Sequence, residues 1–296
     1  LRMLSLIQEA VELVKESRGI AIDLDRLPLD DEKVYDMICR ADTMGVFQVE
    51  SRAQMATLPR LRPERFYDLV VEVAIIRPGP VVGNMVHPYI RRRAGLEPVT
   101  YPHPSLEPVL KRTLGVPLFQ EQLLRIAMVA AGFTGGEAEE LRRAMGFKRS
   151  EQAMEKIGKK LRLGLEGNGI RGETAEKIIR YITSFALYGF PESHAASFAL
   201  LAYASAFLKA HFPAQFYTAL LNNQPMGFYH PSTLVKDAQH RHIRIRPIDV
   251  RVSRWSCFVH RDDSIRLGLM YVKGLRKESG MRIEEARRQK AFRSLD

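Results

Sequence analysis

Apolar positions recur with a period near 3.6 through most of this chain, and that period predicts helices. Leu4, Ile7, Val11 and Val14 form one face of a helix over residues 1–17. "RGIAIDLDRLPLDDEKVYDMICRAD" predicts a short extended piece and then a helix capped near Asp30. "PERFYDLVVEVAII" predicts another, stopped by the two prolines of "RPGP" at 77–80. Residues 81–118 are rich in proline and weak in period, so they predict an ordered loop carrying "MVHPYIRRRAG". Helices are expected at 119–132, 135–145, 151–167, 172–185, 194–211 and 214–222. Alternation with period 2 appears only in "HIRIRPIDV" and "SIRLGLMYV", two strand candidates. The fold class that follows is mainly α, a multi-helix domain followed by a small α+β segment, with a boundary near residue 225.

The stretch "YGFPESHAASFALLAYASAFLKAHFP" at 188–213 is the most apolar helix candidate. No formal charge lies between Glu192 and Lys209 when His194 is neutral. The run is shorter than the roughly 18–20 apolar residues that span a bilayer. Ser193 is placed as N-cap and Phe212, before Pro213, as the end. Ala195, Ala199, Ala202 and Ala206 make a stripe of small residues that permits close helix approach.

Charge narrows the partners. The 296 residues carry 45 Lys plus Arg against 34 Asp plus Glu, a formal net charge of +11. That excess points to a polyanion, nucleic acid first and an acidic membrane surface second. Two cysteines, Cys39 and Cys257, are too few for a zinc ribbon or a disulfide framework and fit a reducing setting. No signal-peptide pattern is present. The chain opens at Leu1 inside a helical pattern and stops at "AFRSLD", which reads as a piece of a longer protein.

Familiar catalytic motifs are missing. No aspartate lies between Asp68 and Asp237, and the chain has no Walker loop, G-x-G-x-x-G, G-x-S-x-G or H-E-x-x-H. Asp23 and Asp25 have the spacing of a metal pair, but their turn-rich setting favours turn and cap chemistry.

Four stretches do suit phosphate. In "FTGGEAEELRRAMGFKRS" (133–150), Thr134 and Glu137 have capping-box spacing and Gly146 ends the helix. Arg142, Arg143, Lys148 and Arg149 cluster around that end, able to grip a triphosphate or a nucleic-acid backbone. Ordinary surface pairing with Glu139 explains the two helical arginines equally well. The helix start at Ser193–His194 offers a second anion site, with Tyr188 and Phe190 placed to stack on a base or sugar. A buried helix with an ordinary cap is the competing reading. Arg91, Arg92 and Arg93 form a third candidate, for the nucleic-acid backbone or for plain solvation. "YVKGLRKESGMRIEEARR" (271–288) has the outline of half a helix-hairpin-helix, with Lys273 and Gly274 at its turn. Arg276 stands where a second glycine is expected.

"GVFQVESRAQM", "IIRPGP", "YPHPSLEPVLKRTLGVPLFQEQLLRIAM", "GEAEELRRAMGFKR" and "YGFPESHAASFALLAYASAFLKAHFPAQFYTALLN" together resemble the bacterial C-family DNA polymerases, the DNA polymerase III alpha subunits. The resemblance runs in order from about residue 1 to 280. "YGFPESH" and "LLNNQPMGFYHPSTLVKDAQ" are most similar to the error-prone, damage-inducible branch. The resemblance implies a helical link after the palm over 1–40, the fingers domain over 41–225 and a truncated start of the duplex-DNA-binding region over 226–296. It implies an enzyme performing template-directed nucleotidyl transfer from dNTPs to a primer 3′-hydroxyl, in translesion synthesis or repair. Its catalytic aspartates, holding two magnesium ions (Mg2+), would lie upstream of Leu1, which leaves this chain without catalytic or metal-binding residues of its own. Arg142, Arg143 and Lys148 would approach the triphosphate. Tyr188, Gly189, Phe190, Ser193 and His194 would line the nucleotide pocket. Arg91, Arg92, Arg93, Lys273 and Gly274 would contact DNA. The implied partners are primer-template DNA, dNTP and, through other regions, the sliding clamp and damage-response proteins, all in the bacterial cytoplasm and away from membrane. Two alternatives stand beside this: a piece of the main replicative polymerase, or a non-catalytic helical nucleic-acid-binding module.

Overall fold

The computed structural model describes residues 2–76, 88–144, 151–185, 190–227 and 229–292. The helices in chain order are α1 (Arg2–Arg18), α2 (Glu32–Cys39), α3 (Arg52–Leu61), α4 (Phe66–Ile75), α5 (88–93), α6 (Glu107–Leu110), α7 (Gln120–Ala131), α8 (Gly135–Ala144), α9 (Glu151–Gly167), α10 (Gly172–Phe185), α11 (Glu192–His211), α12 (Pro213–Asn222), α13 (Pro231–His240) and α14 (Lys277–Gln289). The chain is mainly α-helical, with a small mixed segment near its C-terminus. Packing divides it into two compact units that interleave in sequence. One comprises residues 1–37, 42–50 and 201–296, the other 38–41 and 51–200.

In the second unit α7 is the central element. Leu123, Ile126, Ala127 and Ala130, spaced i, i+3, i+4 and i+7, bury one face of it. They share a core with Leu141 of α8, Leu161 and Leu165 of α9, and Ile178 and Ile182 of α10. Helix α7 ends at Gly132, whose φ of +68° is the left-handed cap that glycine adopts at least cost. On α9, Gly164 lies against the backbone carbonyl of Ala131 and leaves no room for a side chain.

In the first unit, Phe216, Tyr217, Ala219, Leu220 and Leu221 of α12 share a core with Leu6, Ile7 and Ala10 of α1 and with Leu234 and Ala238 of α13. A three-stranded sheet follows, formed by β1 (Ile245–Arg246), β2 (Phe258–Val259) and β3 (Ile265–Arg266) in the order β1-β3-β2. Strand β1 runs parallel to β3 with Ile245 opposite Ile265, and β2 runs antiparallel to it with Phe258 opposite Arg266.

Three expectations change. The described part of 81–118 contains α5, α6 and two short 3-10 turns, Pro104–Leu106 and Lys111–Thr113, rather than a plain loop. Pro104 and Pro108 fall in first turns, where the missing N–H costs nothing. The two strand candidates shorten to two residues each, and Phe258–Val259 supplies a strand that the pattern did not announce. Helix α11 starts at Glu192, so Ser193 is inside the first turn and is not the N-cap. Among the described residues no single helix is long and apolar enough to cross a membrane.

Candidate nucleotide and DNA interface

The capping box at the start of α8 forms. Thr134 N–H donates to Glu137 Oε2 at 2.8 Å, and Glu137 N–H donates to Thr134 Oγ1 at 3.3 Å. The box fixes where α8 begins, and therefore where its last turn places Arg142 and Arg143. Both arginines converge on Glu139. Arg142 donates through Nε and Nη2 at 2.8 and 2.7 Å, and Arg143 through Nε at 3.3 Å. Hydrogen bonding from Arg142 is the main cause that holds the Glu139 carboxyl down to about 2. All three side chains are solvent-exposed, so these pairs exchange readily with another anion. Lys148 lies outside the described residues.

The start of α11 is built around acids. Glu192 N–H donates to Glu121 Oε2 of α7 at 3.0 Å, and Ala195 N–H donates to the Pro191 carbonyl at 3.1 Å. Gln120 N–H, at the head of α7, donates to the Phe190 carbonyl at 3.1 Å. Tyr67 hydroxyl donates to Glu192 Oε1 at 3.1 Å, and the Arg112 guanidinium stands 4.0 Å over the Tyr67 ring and 3.5 Å from the same carboxylate. Burial, then the Glu192 charge, pushes the Tyr67 hydroxyl above its ordinary range. A carboxylate therefore already occupies the positive end of this helix, and it comes from Glu121 where the sequence suggested Ser193. Pro191 explains the shift: it has no N–H and a fixed φ, so the helix starts after it without a Ser cap.

Around that start, His194 stacks between Phe190, 4.9 Å away edge-on, and Phe198 at 4.2 Å. Ser193 is exposed, and its carbonyl accepts from Ser197 Oγ at 2.9 Å. Phe190 and His194 are thus brought together, while Tyr188 and Gly189 lie outside the described residues. The alanine stripe is buried as expected: Ala195, Ala199, Ala202 and Ala206 all lie in the core.

The arginine run does not act as one patch. Arg91 is 60% exposed and 3.6 Å from Glu97. Arg92 is 10% exposed, donating to Glu97 Oε1, the Leu114 carbonyl at 2.8 Å and Thr100. Arg93 is 18% exposed and forks onto Asp68 at 2.9 and 2.7 Å, with further donation to the carbonyls of Leu61 and Arg62. Arg92 and Arg93 thus turn most of their donors inside the fold, and Arg91 is the most exposed of the three.

At the C-terminal candidate, Lys273 and Gly274 are exposed, and Gly274 has φ of +83° in the turn before α14. A side chain there would meet nothing, so the turn selects glycine through its backbone angle alone. Helix α14 then packs Gly280 against the Trp255 ring. Asp23 caps the 3-10 turn Leu24–Arg26 by accepting from Asp25 N–H at 3.1 Å, which is the turn chemistry expected of it.

One cluster escaped the sequence reading. Lys209 of α11 is 0% exposed and lies 3.0 Å from Asp42 and 3.5 Å from Asp237. It donates to the Met44 carbonyl at 2.9 Å, Arg241 also pairs with Asp42, and the Tyr217 hydroxyl with Asp237. Burial is the main force lowering the Lys209 pKa, and the two aspartates oppose it. The neighbouring loop is fixed by Gly45 N–H to Glu50 Oε2 and by Phe47 N–H to Ser205 Oγ, both at 3.0 Å. The available signal was a lysine closing the run that carries no formal charge after Glu192 when His194 is neutral.

Comparison with known proteins identifies the family. Residues 3–169 match the family model of the bacterial DNA polymerase III alpha subunit finger domain, and residues 242–296 match a helix-hairpin-helix motif. The chain is 56% identical over 300 residues to an error-prone DNA polymerase of Pseudomonas syringae pv. syringae (strain B728a), covering 99% of this chain and 29% of that protein. It is 55% identical to the error-prone DNA polymerase of Alkalilimnicola ehrlichii (strain ATCC BAA-1101 / DSM 17681 / MLHE-1), covering 100% and 29%. With the error-prone DNA polymerase of Methylococcus capsulatus (strain ATCC 33009 / NCIMB 11132 / Bath) it shares 51% over 317 residues, covering 100% and 30%. The chain thus spans a little under a third of the relatives it matches. The helical unit built on α7 and α8, the turn before α14 and the matched residue ranges agree, and the chain belongs to the bacterial DNA polymerase III alpha subunit family through its finger domain.

Proposed function

We propose that this chain supplies the nucleotide-facing and part of the DNA-facing surface of an error-prone, template-directed DNA polymerase. The observation that carries the reading is the agreement of the finger-domain match over 3–169 with relatives called error-prone DNA polymerase along the whole chain. In this reading 1–40 links to the palm, 41–225 acts as fingers, and 226–296 opens the duplex-binding region.

Arg142 and Arg143 exchange Glu139 for the incoming triphosphate, which carries more charge and more acceptor oxygens than one carboxylate. Their work is charge neutralisation and positioning of a reacting phosphoryl group. Phe190 and His194 form a stacked wall beside the nucleotide, and Ser193, exposed in the first turn, adds a hydroxyl. The family resemblance extends the nucleotide assignment to Lys148, Tyr188 and Gly189. Arg91, Lys273 and Gly274 contact primer-template DNA. Two magnesium ions serve the parent polymerase's transfer step. Among the described residues no three or more His, Cys, Asp or Glu side chains form a metal site, and none is assigned to those ions. The polymerase works in the bacterial cytoplasm.

The test is steady-state primer extension by the parent polymerase carrying Arg142→Ala or Arg143→Ala. The expected result is a raised KM for dNTP or a lowered kcat, with DNA affinity nearly unchanged. Loss of DNA binding with normal nucleotide kinetics overturns the assignment. The 296-residue chain alone is expected to be inactive in the same assay.

A further inference from the structure

Where α3 meets α4, Arg60, Arg62, Arg65 and Arg93 line a cleft of about 570 Å³ together with Glu64. Arg93, on its lining, pairs with the buried Asp68. Asp68 Oδ2 takes N–H groups from Glu64 and Arg65 at 3.0 and 3.3 Å, and both its oxygens take the Arg93 fork. Arg93 also donates to the Leu61 and Arg62 carbonyls at 2.6 and 2.9 Å. Those carbonyls close α3, and a helix C-terminus is ordinarily an electronegative end. Arg93 removes that penalty for an anion. Arg62 takes the left-handed cap conformation, φ +49°, which sets its direction off the helix path. Arg60 and Arg62 are exposed, and no acid pairs with either among the described residues; Arg65 stands 3.6 Å from Asp68 Oδ1.

We propose that this cleft is a backbone-phosphate site for nucleic acid, gripped by Arg60, Arg62 and Arg65 and braced by the Asp68–Arg93 pair. No aromatic side chain lines it, so nothing there stacks a base, and the contact is to phosphate and independent of sequence. Guanidinium groups at positions 60, 62 and 65 are spread along a chain turn, and Glu64 sits among them. That arrangement suits the single charges of successive phosphodiesters better than the dense charge of a triphosphate. Arg93 is a positioning residue here. The inference rests on the chain being a DNA-binding part of a polymerase.

The experiment is fluorescence anisotropy with the full chain, labelled single-stranded and primer-template DNA, and a series of salt concentrations. Each phosphate contact contributes about 0.7–0.9 to the slope of log K against log salt. Arg60→Ala/Arg62→Ala should therefore flatten that slope by about 1.4–1.8, equally for unrelated sequences. Arg60→Lys/Arg62→Lys should restore most of it. Both side chains are exposed, so thermal melts should not change. An unchanged slope in the alanine variant, with wild type binding DNA, overturns the cleft and leaves the polymerase reading intact. No DNA binding by wild type removes both. Inorganic tripolyphosphate provides the second arm. Micromolar binding that the alanine variant loses makes the cleft a free-polyphosphate site and overturns the backbone assignment.

Discussion

Two buried acids stand one turn apart on α4 and are treated in opposite ways. Asp68 takes the Arg93 fork and two backbone N–H groups. Glu72 is fully buried, and neither carboxyl oxygen has a hydrogen-bond partner. Burial pushes its pKa from 4.5 up to about 8. Between those values the folded chain keeps a proton that the unfolded chain has released. Stability from this group is thus present below 4.5 and is lost as pH rises toward 8. Integrating the linkage from about pH 5 to about pH 7.5 gives a loss of about 3 kcal/mol. Glu72→Leu removes the titrating group and keeps apolar volume on a helix that is buried from Asp68 to Ile75. At about pH 7.5 the variant should be more stable than wild type by about 3 kcal/mol, or about 6–12 °C in Tm. At about pH 5 most of that advantage should vanish. The assay is thermal or urea unfolding of both proteins across this range. The difference between them isolates Glu72 from every other titrating group. Parallel pH curves, or a variant less stable at about pH 7.5, refute the reasoning.

Other perturbations follow from the same geometry. Lys209→Met leaves Asp42 with Arg241 and Asp237 with the Tyr217 hydroxyl as their remaining partners and should cost up to about 3 kcal/mol, read by urea unfolding. Gly164→Ala puts a carbon 2.9 Å from the Ala131 carbonyl carbon and should lose about 1–3 kcal/mol. Gly158→Ala on the same helix meets open space and should hold or gain up to about 1 kcal/mol. Glu121→Ala uncaps α11 and should cost about 1 kcal/mol, with faster amide exchange confined to the first turn of that helix.

The helical order was legible because burial imposes a period that composition cannot hide. Leu123, Ile126, Ala127 and Ala130 announce α7, and Thr134 with Glu137 announces α8, with no help from distant residues. Candidate anion-binding arginines were legible only as types. Arg91, Arg92 and Arg93 are adjacent, yet a helix sends adjacent side chains in different directions. One meets solvent and two meet carbonyls and acids that lie up to 32 residues away. Meanwhile Arg60 and Arg62, separated in the sequence from any obvious motif, share a cleft because α3 ends between them. Sequence proximity reports covalent order, whereas an anion site needs donors whose alternatives have been removed.

The acids sharpen that criterion. Glu139 holds Arg142 and Arg143, and Glu121 holds the first amide of α11, so two of the sites expected to bind phosphate contain a carboxylate already. An exposed carboxylate bound at this strength is a weak competitor, because surface pairs of this kind contribute about 0–1 kcal/mol. A triphosphate can displace it at Arg142 and Arg143, and the freed Glu139 then repels any further anion. At α11 the outcome differs. The same Glu121 belongs to α7, whose adjacent Gln120 N–H binds the Phe190 carbonyl. Displacing Glu121 would therefore loosen the contact that holds Phe190 and His194 in place. The two sites cannot both work by the same exchange. Under the proposed function, nucleotide charge is met at the end of α8, and the start of α11 stays intact as a stacked wall. Glu139→Ala in the parent polymerase should then lower the KM for dNTP, and Glu121→Ala should raise it. The opposite pair of results would move the triphosphate to α11.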